Sequence, residues 1–483
     1  MINQLKDRTL FKQACFVNGR WEDATSVTKV TNPIDDSLIG YVPDLNKNQV
    51  LESIELASKA MATWSATTAK ERSSILQRWY SLIIENVDDL ALIMTSEQGK
   101  PLYEARGEIT YAASFIQWFA EEGKRIYGDV IPATIASNRI HTIQQPIGVC
   151  GAVTPWNFPA AMITRKAAPA LAAGCSIVIK PATETPFTAL ALCELASRAG
   201  LPDGLINVIT GNSRMIGEQL TTHPLIAKFS FTGSTEVGRI LQAQCASTIK
   251  KTSMELGGNA PFIVFDDANI EKAVDGLMAA KFRNGGQTCV CVNRIYVHEK
   301  VYDEFYQAFK DKASQLVVGK GTDIGVTVGP MINQAAITNM TSLLKDAQSK
   351  GATVEPVGIL RESGGNYFSP VLVSDVTDDM NLVHDEIFGP IASIIKFSDE
   401  EEVIKRANNT IFGLAAYFYT TNINRVYRVS EKIESGMVGV NTGIISNEVA
   451  PFGGVKQSGL GKEGSKYGIS DYLEIKYVCV DLE

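Results

Sequence analysis

Apolar and polar positions follow two different periods along this chain. Over residues 46–123 apolar side chains recur at helical spacing among Ala, Glu, Leu and Lys, which predicts amphipathic helices that cover a sheet. After Gly148, short apolar runs alternate with helical stretches of roughly 10 to 15 residues. The runs cover residues 149–154, 177–180, 206–210 and 228–231. Strands separated by helices of this length predict βαβ units and a parallel sheet.

A second series of the same kind begins near Pro261. The segment PFIVFDD predicts a strand, and helices are predicted near residues 333–350 and 400–408. Gly257, Gly258 and Asn259 lie between the two series, directly after a β-type run that ends at Glu255. We therefore expect an α/β protein whose two parallel-sheet domains meet near residue 257.

Two further stretches alternate residue by residue, namely RIHTIQQ within residues 126–145 and YLEIKYVCV near the C-terminus. Such alternation predicts strands with an exposed face. Because long unpaired edge strands promote aggregation, we expect these strands to pair across a subunit interface. The pattern thus predicts a homodimer or a homotetramer.

Composition narrows the class of protein. The 483 residues exceed the size at which a single core stops growing, so two or three structural units are expected. Lys plus Arg number 45 against 53 Asp plus Glu, and no basic stripe indicates nucleic acid. The charged N-terminal segment lacks the apolar core of a secretory signal, and the apolar run 167–179 is too short to span a bilayer. We expect a cytoplasmic protein that binds neither nucleic acid nor membrane.

The cysteines and histidines are scattered. The four histidines form no cluster, and the eight cysteines lie mostly alone in apolar segments, which is typical of reduced cytosolic thiols. A zinc site would need a second Cys pair or clustered His, so we predict no metal site.

One cysteine is distinguished by its context. In FRNGGQTCVC, Cys289 follows the glycine pair Gly285 and Gly286 and precedes Cys291 by two positions. A nucleophilic cysteine reacts as the thiolate and needs open backbone, amide donors and a nearby base. Two structural thiols or two metal ligands would give the same Cys-x-Cys pattern, so the segment alone does not decide between these roles.

Two strand ends carry features suited to an anionic ligand, although no G-x-G-x-x-G fingerprint follows a predicted strand. In FTGSTEVG, Gly233 and Ser234 form a turn and a cap before a helix, whose N-terminus favours an anion. Lys180 stands at the carboxyl end of another strand, where ligands of open α/β sheets bind. A well-capped βα turn would explain the first feature without any ligand.

Seven motifs follow one another along the chain. They are TPWNFP at 154–159, IKPATETP at 179–186, FTGSTEVG at 231–238, MELGGNAP at 254–261, GGQTCVCVNR at 285–294, EIFGP at 386–390 and PFGGVKQSG at 451–459. This set resembles the aldehyde dehydrogenase superfamily, and the likeness covers essentially the whole chain. The stretches EEGKRIYGD, AAMITRK, KFRN and NTGIISNEVAPFGG are most similar to bacterial succinate-semialdehyde dehydrogenases.

The resemblance implies an α/β fold with two Rossmann-like domains and a small β arm. A dinucleotide-binding domain would comprise residues 1–125 and 146–256, and a catalytic domain would comprise residues 257–450. Residues 126–145 and 468–483 would form the oligomerisation arm.

The resemblance also implies a covalent mechanism of aldehyde oxidation. Cys289 would add to the aldehyde carbon and form a thiohemiacetal, whose oxyanion would be held by the Asn157 side-chain amide and the Cys289 backbone N–H. After hydride transfer to a nicotinamide, Glu255 would activate the water that hydrolyses the thioester. A binding protein without turnover is the alternative class, and the presence of all three residues argues against it.

Cofactor contacts are implied in the same way. The residues assigned to the cofactor are Trp156, Lys180, Pro181, Ala182, Thr183, Gly233, Ser234, Leu256, Glu386 and Phe388. Thr183 departs from many NAD-preferring relatives, which carry glutamate there. A carboxylate would repel the 2′-phosphate of NADP, whereas Thr183 beside Lys180 could accept it. We predict NADP as the preferred cofactor, with NAD possible, because Glu184 one position later could restore a carboxylate.

Arg165, Arg283 and Ser446 are implied to bind a carboxylate at the far end of a small-molecule semialdehyde. Guanidinium groups match carboxylates geometrically, and Arg283 lies six residues before Cys289. Either arginine could instead be a solvated helix residue or part of an interdomain ion pair. We predict oxidation of succinic semialdehyde. Glutaric semialdehyde or another small aldehyde is the alternative, because one added CH2 is worth only about 0.8 kcal/mol of burial.

Cys291 is a candidate for redox control. It could form a reversible disulfide with Cys289 and silence the enzyme under oxidation. A packing thiol is the equal alternative.

Overall fold

Strand and helix alternate through most of the chain, as the apolar pattern predicts. The computed structural model of the protein describes residues 1–362 and 364–483. The strands are β1 (Cys15–Val17), β2 (Arg20–Glu22), β3 (Val27–Thr31), β4 (Leu38–Pro43), β5 (Val130–Ile131), β6 (Asn138–Pro146), β7 (Val149–Val153), β8 (Ile177–Lys180), β9 (Ile206–Val208), β10 (Ile226–Thr232), β11 (Lys251–Glu255), β12 (Ala260–Val264), β13 (Val292–His298), β14 (Val317–Val318), β15 (Thr353–Pro356), β16 (Ile359–Leu360), β17 (Val371–Ser374), β18 (Ile391–Phe397), β19 (Ala415–Tyr419), β20 (Met437–Val440), β21 (Gly459–Leu460) and β22 (Leu473–Asp481). The α-helices are α1 (Lys47–Ser65), α2 (Ala69–Glu85), α3 (Val87–Gln98), α4 (Leu102–Glu122), α5 (Ala161–Ala173), α6 (Pro186–Arg198), α7 (Ser213–Thr222), α8 (Thr235–Cys245), α9 (Ile270–Phe282), α10 (Tyr302–Ala313), α11 (Gln334–Ser349), α12 (Asn381–His384), α13 (Glu400–Asn408), α14 (Ile423–Lys432) and α15 (Ser465–Gly468).

The first sheet has the strand order β2-β1-β9-β8-β7-β10-β11-β21. Its five central strands are parallel, and the four apolar runs predicted after Gly148 are its strands β7 to β10. The segment predicted to be helical over residues 46–123 forms α1 to α4. Two buried tryptophans tie α1 and α2 to the helices α5 and α6, since the indole N–H of Trp64 donates to Leu171 O of α5 at 2.9 Å and that of Trp79 to Leu192 O of α6 at 3.0 Å.

The second sheet has the order β15-β17-β18-β13-β12-β19-β20 and is parallel apart from its edge strand β15. The predicted strand after Gly257-Gly258-Asn259 is β12, and the two predicted helices are α11 and α13. The short link of residues 256–259 joins the carboxyl end of β11 to the amino end of β12. The carboxyl edge of the first sheet therefore faces the amino edge of the second.

Residues near both predicted arm segments form a third sheet. β22 pairs with β6 along its whole length, from Leu473 opposite Pro146 to Asp481 opposite Asn138, and β5 extends the sheet. Large apolar side chains on it remain exposed, with Val130 at 90% and Ile475 at 71%. The division of the chain into domains stays a prediction, and β21 adds residues 459–460 to the first sheet, which that division left unassigned.

The first turn of α6 is capped by a residue that is distant in sequence. Pro186 occupies its first turn, where the missing N–H costs nothing, but the preceding Thr185 makes no side-chain cap although its residue type suits that role. Glu97 of α3 replaces it and accepts the backbone N–H groups of Phe187 and Thr188, both at 2.8 Å. Since Pro186 follows directly after residues 180–185, this cap also anchors the turn that holds Lys180 and Thr183. None of the described helices is long and apolar enough to cross a membrane.

The backbone of α9 packs directly against the backbone of the segment that follows β20. A Cβ at Gly276 would lie 1.7 Å from Tyr419 Oη and 3.3 Å from Gly443 N, and one at Gly443 would lie 1.9 Å from Gly276 O. Tyr419 is buried with its ring 5.2 Å from that of Phe262, so its hydroxyl cannot move away easily. This contact sets the position of the residues that follow Gly443, including Ser446.

We expect Gly276→Ala to lower the melting temperature, although alanine is more favourable than glycine in a helix by about 1 kcal/mol. Gly107→Ala in α4 is the matched control, because nothing lies within 4 Å of a Cβ at that position. The control should raise stability by up to about 1 kcal/mol in thermal unfolding. Equal stabilisation of both variants would mean that the Gly276 contact is dispensable.

Candidate active site

A cavity of about 240 Å³ lies where the two large sheets meet. It brings together Cys289, Glu255 and Asn157, the three residues predicted to be catalytic. The predicted cofactor residues that also line it are Trp156, Gly233, Ser234, Leu256, Glu386 and Phe388. The other predicted cofactor residues do not line this cavity. They lie at the carboxyl end of β8, the strand next to β7, and are Lys180, Pro181, Ala182 and Thr183.

The backbone before Cys289 adopts the left-handed conformation at three consecutive residues. The φ angles are 54° at Asn284, 62° at Gly285 and 77° at Gly286. A Cβ on Gly286 would also lie 2.4 Å from the carbonyl oxygen of Gly389, so glycine is needed there for both reasons. The glycine pair thus shapes the turn that presents Cys289.

Asn157 is pinned beside this turn. Its Nδ2 donates to Gln287 O at 3.0 Å, and its backbone carbonyl accepts from Asn284 Nδ2 at 3.0 Å. An amide nitrogen carries two hydrogens, so one remains for a developing oxyanion. The oxyanion role of Asn157 stays a prediction, and the geometry leaves it a free donor.

The half-buried Cys289 thiol has a raised pKa. Burial is the main reason why its pKa rises to about 12; the cation Arg165 lowers it, while the acids Glu386 and Glu255 raise it further. The reactive thiolate must therefore form when a base takes the proton.

Glu255 lies on the same cavity, and its role as the base that activates water stays a prediction. It ends β11, is 2% exposed, and neither of its carboxyl oxygens has a hydrogen-bond partner among the described residues. Burial raises its pKa well above the usual value, and the charge of Glu463 raises it further. A carboxylate with a raised pKa is a stronger base, which suits proton removal.

A second cavity of about 580 Å³ adjoins the first, and Phe158 lines both. Arg283 and Ser446 line this second cavity. The Arg283 guanidinium lies 5.3 Å from the Phe158 ring and has no ion-pair or hydrogen-bond partner within residues 1–362 and 364–483. Burial raises the pKa of Glu104, which lines the same cavity, to about 7, and the charges of Lys100 and Arg283 lower it. Arg283 thus has an acid nearby without a direct ion pair, so its N–H groups are available to an anionic ligand.

Arg165 lies behind the two cavities and lines neither. It is 1% exposed, and its Nε donates to Glu463 Oε2 at 2.7 Å. Its neighbour Lys166 also pairs with Glu463 and donates to Thr232 Oγ1 at 2.7 Å. Arg165 is thus part of a buried ion pair and is not a solvated helix residue, while its role in substrate binding stays a prediction. Local sequence does not predict the pairing of Glu463 with Lys166, since Glu463 is an isolated acid in a Gly-rich segment.

The region expected to hold the cofactor combines charge and helix geometry. Lys180 is buried and donates only to the Pro181 carbonyl, at 3.0 Å, and burial lowers its pKa to about 8. Ser234 caps α8 through the N–H of Val237 at 3.4 Å. A Cβ at Gly233 would collide with the Phe231 ring at 2.4 Å, which explains the glycine in this turn. Thr183 is exposed beside the exposed Glu184.

Glu386 and Phe388 form the opposite wall. Glu386 accepts the backbone N–H of Gly258 at 2.9 Å, and burial raises its pKa to about 7. The Phe388 ring meets Trp156 edge-on, with centroids 5.5 Å apart. These groups match a dinucleotide chemically, because a carboxylate can accept sugar hydroxyls and a helix N-terminus can accept a phosphate.

Cys291 is tied to a buried lysine. Its Sγ lies 3.3 Å from Lys281 Nζ, which also donates to Val292 O at 2.8 Å. Cys289 and Cys291 are both free thiols. A disulfide between them stays a prediction, and forming it would require Cys291 to leave Lys281.

Comparison with known proteins assigns the chain and its fold to one family. Residues 21–478 match the pattern described as aldehyde dehydrogenase family, and the chain belongs to that family. It is 57% identical to succinate-semialdehyde dehydrogenase [NADP(+)] GabD of Escherichia coli (strain K12), over 99% of this chain and 100% of the relative. It is 56% identical to glutarate-semialdehyde dehydrogenase of Pseudomonas putida (strain KT2440), again over 99% and 100%. The crystal structure of succinate-semialdehyde dehydrogenase from Burkholderia pseudomallei superposes with a TM-score of 0.97 at 54% identity, over 99% of this chain and 100% of that one.

We expect Glu463→Ala to lower the free energy of unfolding by about 3–5 kcal/mol, because it leaves two buried cations without their acid. Asp275→Ala is the control, since its ion pair with Lys312 is exposed, and such pairs contribute about 0–1 kcal/mol. Urea unfolding of both variants measures the difference. A loss at Glu463 no larger than that of the control would contradict the structural role of the buried pairs.

Proposed function

We propose that the protein oxidises succinic semialdehyde to succinate with NADP as the preferred cofactor. The observation that carries the substrate is Arg283, an unpaired cation on a cavity next to the one that contains Cys289. An ordinary aldehyde needs no cation, whereas an aldehyde with a distal carboxylate does. The names of the relatives from Escherichia coli and Burkholderia pseudomallei support the same substrate.

The proposed reaction proceeds through a covalent intermediate on Cys289. A base takes the thiol proton, the thiolate adds to the aldehyde carbon, and the oxyanion accepts N–H groups of Asn157 and Cys289. The bound nicotinamide supplies the hydride acceptor. Glu255 then removes a proton from the water that hydrolyses the thioester. Overall, aldehyde, water and oxidised cofactor give the acid, the reduced cofactor and one proton.

The proposed preference for NADP depends on Thr183 and Lys180. Lys180 has no carboxylate within ion-pair distance among the described residues, so its charge is available to a phosphate. Thr183 brings no negative charge to the same turn. The name of the Escherichia coli relative, which includes NADP(+), supports this choice.

Glutaric semialdehyde is the second candidate substrate. The Pseudomonas putida relative carries that name, and the cavity of about 580 Å³ has room for one more methylene. Because one buried CH2 is worth only about 0.8 kcal/mol, we expect both semialdehydes to react at rates within about tenfold of each other.

We also propose that the protein is cytoplasmic and works as a homodimer or homotetramer. The exposed apolar side chains Val130, Ile475 and Tyr477 on the β5-β6-β22 sheet support assembly through this surface.

The function is tested by NADPH formation over a panel of aldehydes, in the wild type and in Arg283→Met. We expect the wild type to prefer succinic semialdehyde to butanal, which has the same chain length without the charge. Arg283→Met should lower kcat/KM for the semialdehyde about 10- to 100-fold, the value of a hydrogen-bonded charge, and leave butanal nearly unchanged. Arg214→Met, at an exposed position, is the control. A wild type without preference for the semialdehyde would refute the proposed substrate.

Cofactor choice is tested at Thr183. We expect a higher kcat/KM with NADP than with NAD in the wild type, and a preference reversed or abolished by Thr183→Glu, because the carboxylate would repel the 2′-phosphate. Thr183→Gln introduces a side chain of the size of glutamate without its charge and should retain the NADP preference. If the wild type prefers NAD, or if both variants behave alike, the charge argument fails.

A further inference from the structure

Tyr111 carries a buried hydroxyl whose hydrogen has no acceptor among the described residues. The residue lies on the face of α4 that lines the cavity of about 580 Å³, together with Tyr103, Glu104, Gly107 and Glu108. A neighbouring polar side chain is Arg165, which can only donate to the Tyr111 oxygen. Leaving a buried polar group unpaired costs about 1–3 kcal/mol, so such a group at a cavity wall calls for an explanation.

The surroundings of Tyr111 explain why no protein acceptor is available. Its ring is held edge-on against Phe115, with centroids 4.9 Å apart. Burial raises the pKa of the hydroxyl, while the charges of Arg165 and Arg283, and the Arg165 side chain as a donor to the oxygen, lower it. A guanidinium has only donors, so neither arginine can accept the Tyr111 proton.

A ligand that carries an acceptor would account for both the Tyr111 hydrogen without an acceptor and the positive charge beside it. A carboxylate can take the O–H hydrogen and also sits favourably in the positive field of the two arginines. Arg283 and Ser446 line the same cavity and bring further donors, whereas Arg165 is already occupied by Glu463. Tyr111 thus supplies a hydrogen-bond donor to this cavity, whereas the Arg165 guanidinium is held by Glu463.

We propose that the Tyr111 hydroxyl binds the distal carboxylate of the semialdehyde, together with Arg283 and Ser446, and thereby selects anionic over neutral aldehydes. This inference rests on the proposed function and adds a specificity residue to it. The hydroxyl is a ligand of the substrate and takes no part in proton transfer.

Tyr111→Phe tests the inference because it removes only the hydroxyl. We expect kcat/KM for succinic semialdehyde to fall at least about tenfold, the lower value of a hydrogen bond to a charged group, and that for butanal to stay within about twofold. The inhibition constant of succinate should rise by a similar factor. Tyr427→Phe in α14 is the control, and we expect it to change neither ratio, since Tyr427 is 64% exposed and lines neither cavity.

The possible outcomes separate this inference from the proposed function. If the wild type prefers the semialdehyde and Tyr111→Phe retains that preference in full, the Tyr111 inference is overturned and the function stands. Equal losses with both aldehydes would reveal a packing role and also overturn it. A wild type with no preference would overturn the proposed substrate and the Tyr111 inference together, whereas loss confined to the semialdehyde supports both.

Discussion

The buried carboxylate of Glu463 is the interaction on which the rest of the site depends. It neutralises Arg165 and Lys166, which are neighbours on α5, and accepts the Ser230 hydroxyl of β10 at 3.2 Å. Two desolvated cations without an acid would be strongly destabilising. One electrostatic requirement therefore joins α5, the first sheet and a segment near the C-terminus, and these elements carry or adjoin the cavity around Cys289.

The same requirement creates the chemistry of Glu255. Glu463 and Glu255 are buried near the same two cations, but only Glu463 makes hydrogen bonds and ion pairs with them. Glu255 has no hydrogen-bond partner among residues 1–362 and 364–483, and burial together with the charge of Glu463 raises its pKa. The paired acid stabilises the fold and the unpaired acid retains the capacity to move protons. Buried acids with a strongly shifted pKa are typical of functional sites.

Pairing also separates structural from ligand-binding groups elsewhere in the site. Arg165, Lys166 and Lys281 have partners within the protein, namely Glu463 for the first two and the Cys291 thiol for the third. Among the described residues, Arg283 and Lys180 have no ion pair and the Tyr111 hydroxyl hydrogen has no acceptor, which is why we relate them to ligands. Residue type alone does not distinguish these two groups, since both contain buried or half-buried basic side chains.

Much of the fold was predictable because its causes are local. Apolar periodicity indicated α1 to α4 and the strands β7 to β10, and the glycines at 257–258 indicated the link between the two sheets. The motif around Cys289 indicated a cysteine on the cavity wall, and its glycine pair reflects a backbone that only glycine adopts easily. What the tertiary structure decided were the long-range partners. Glu97 and not Thr185 caps α6, and Arg165 is paired with Glu463, 298 residues away, while Arg283 is unpaired. Local spacing determines which secondary structure a segment forms, but whether a buried charge is neutralised depends on groups that only folding brings within a few ångströms.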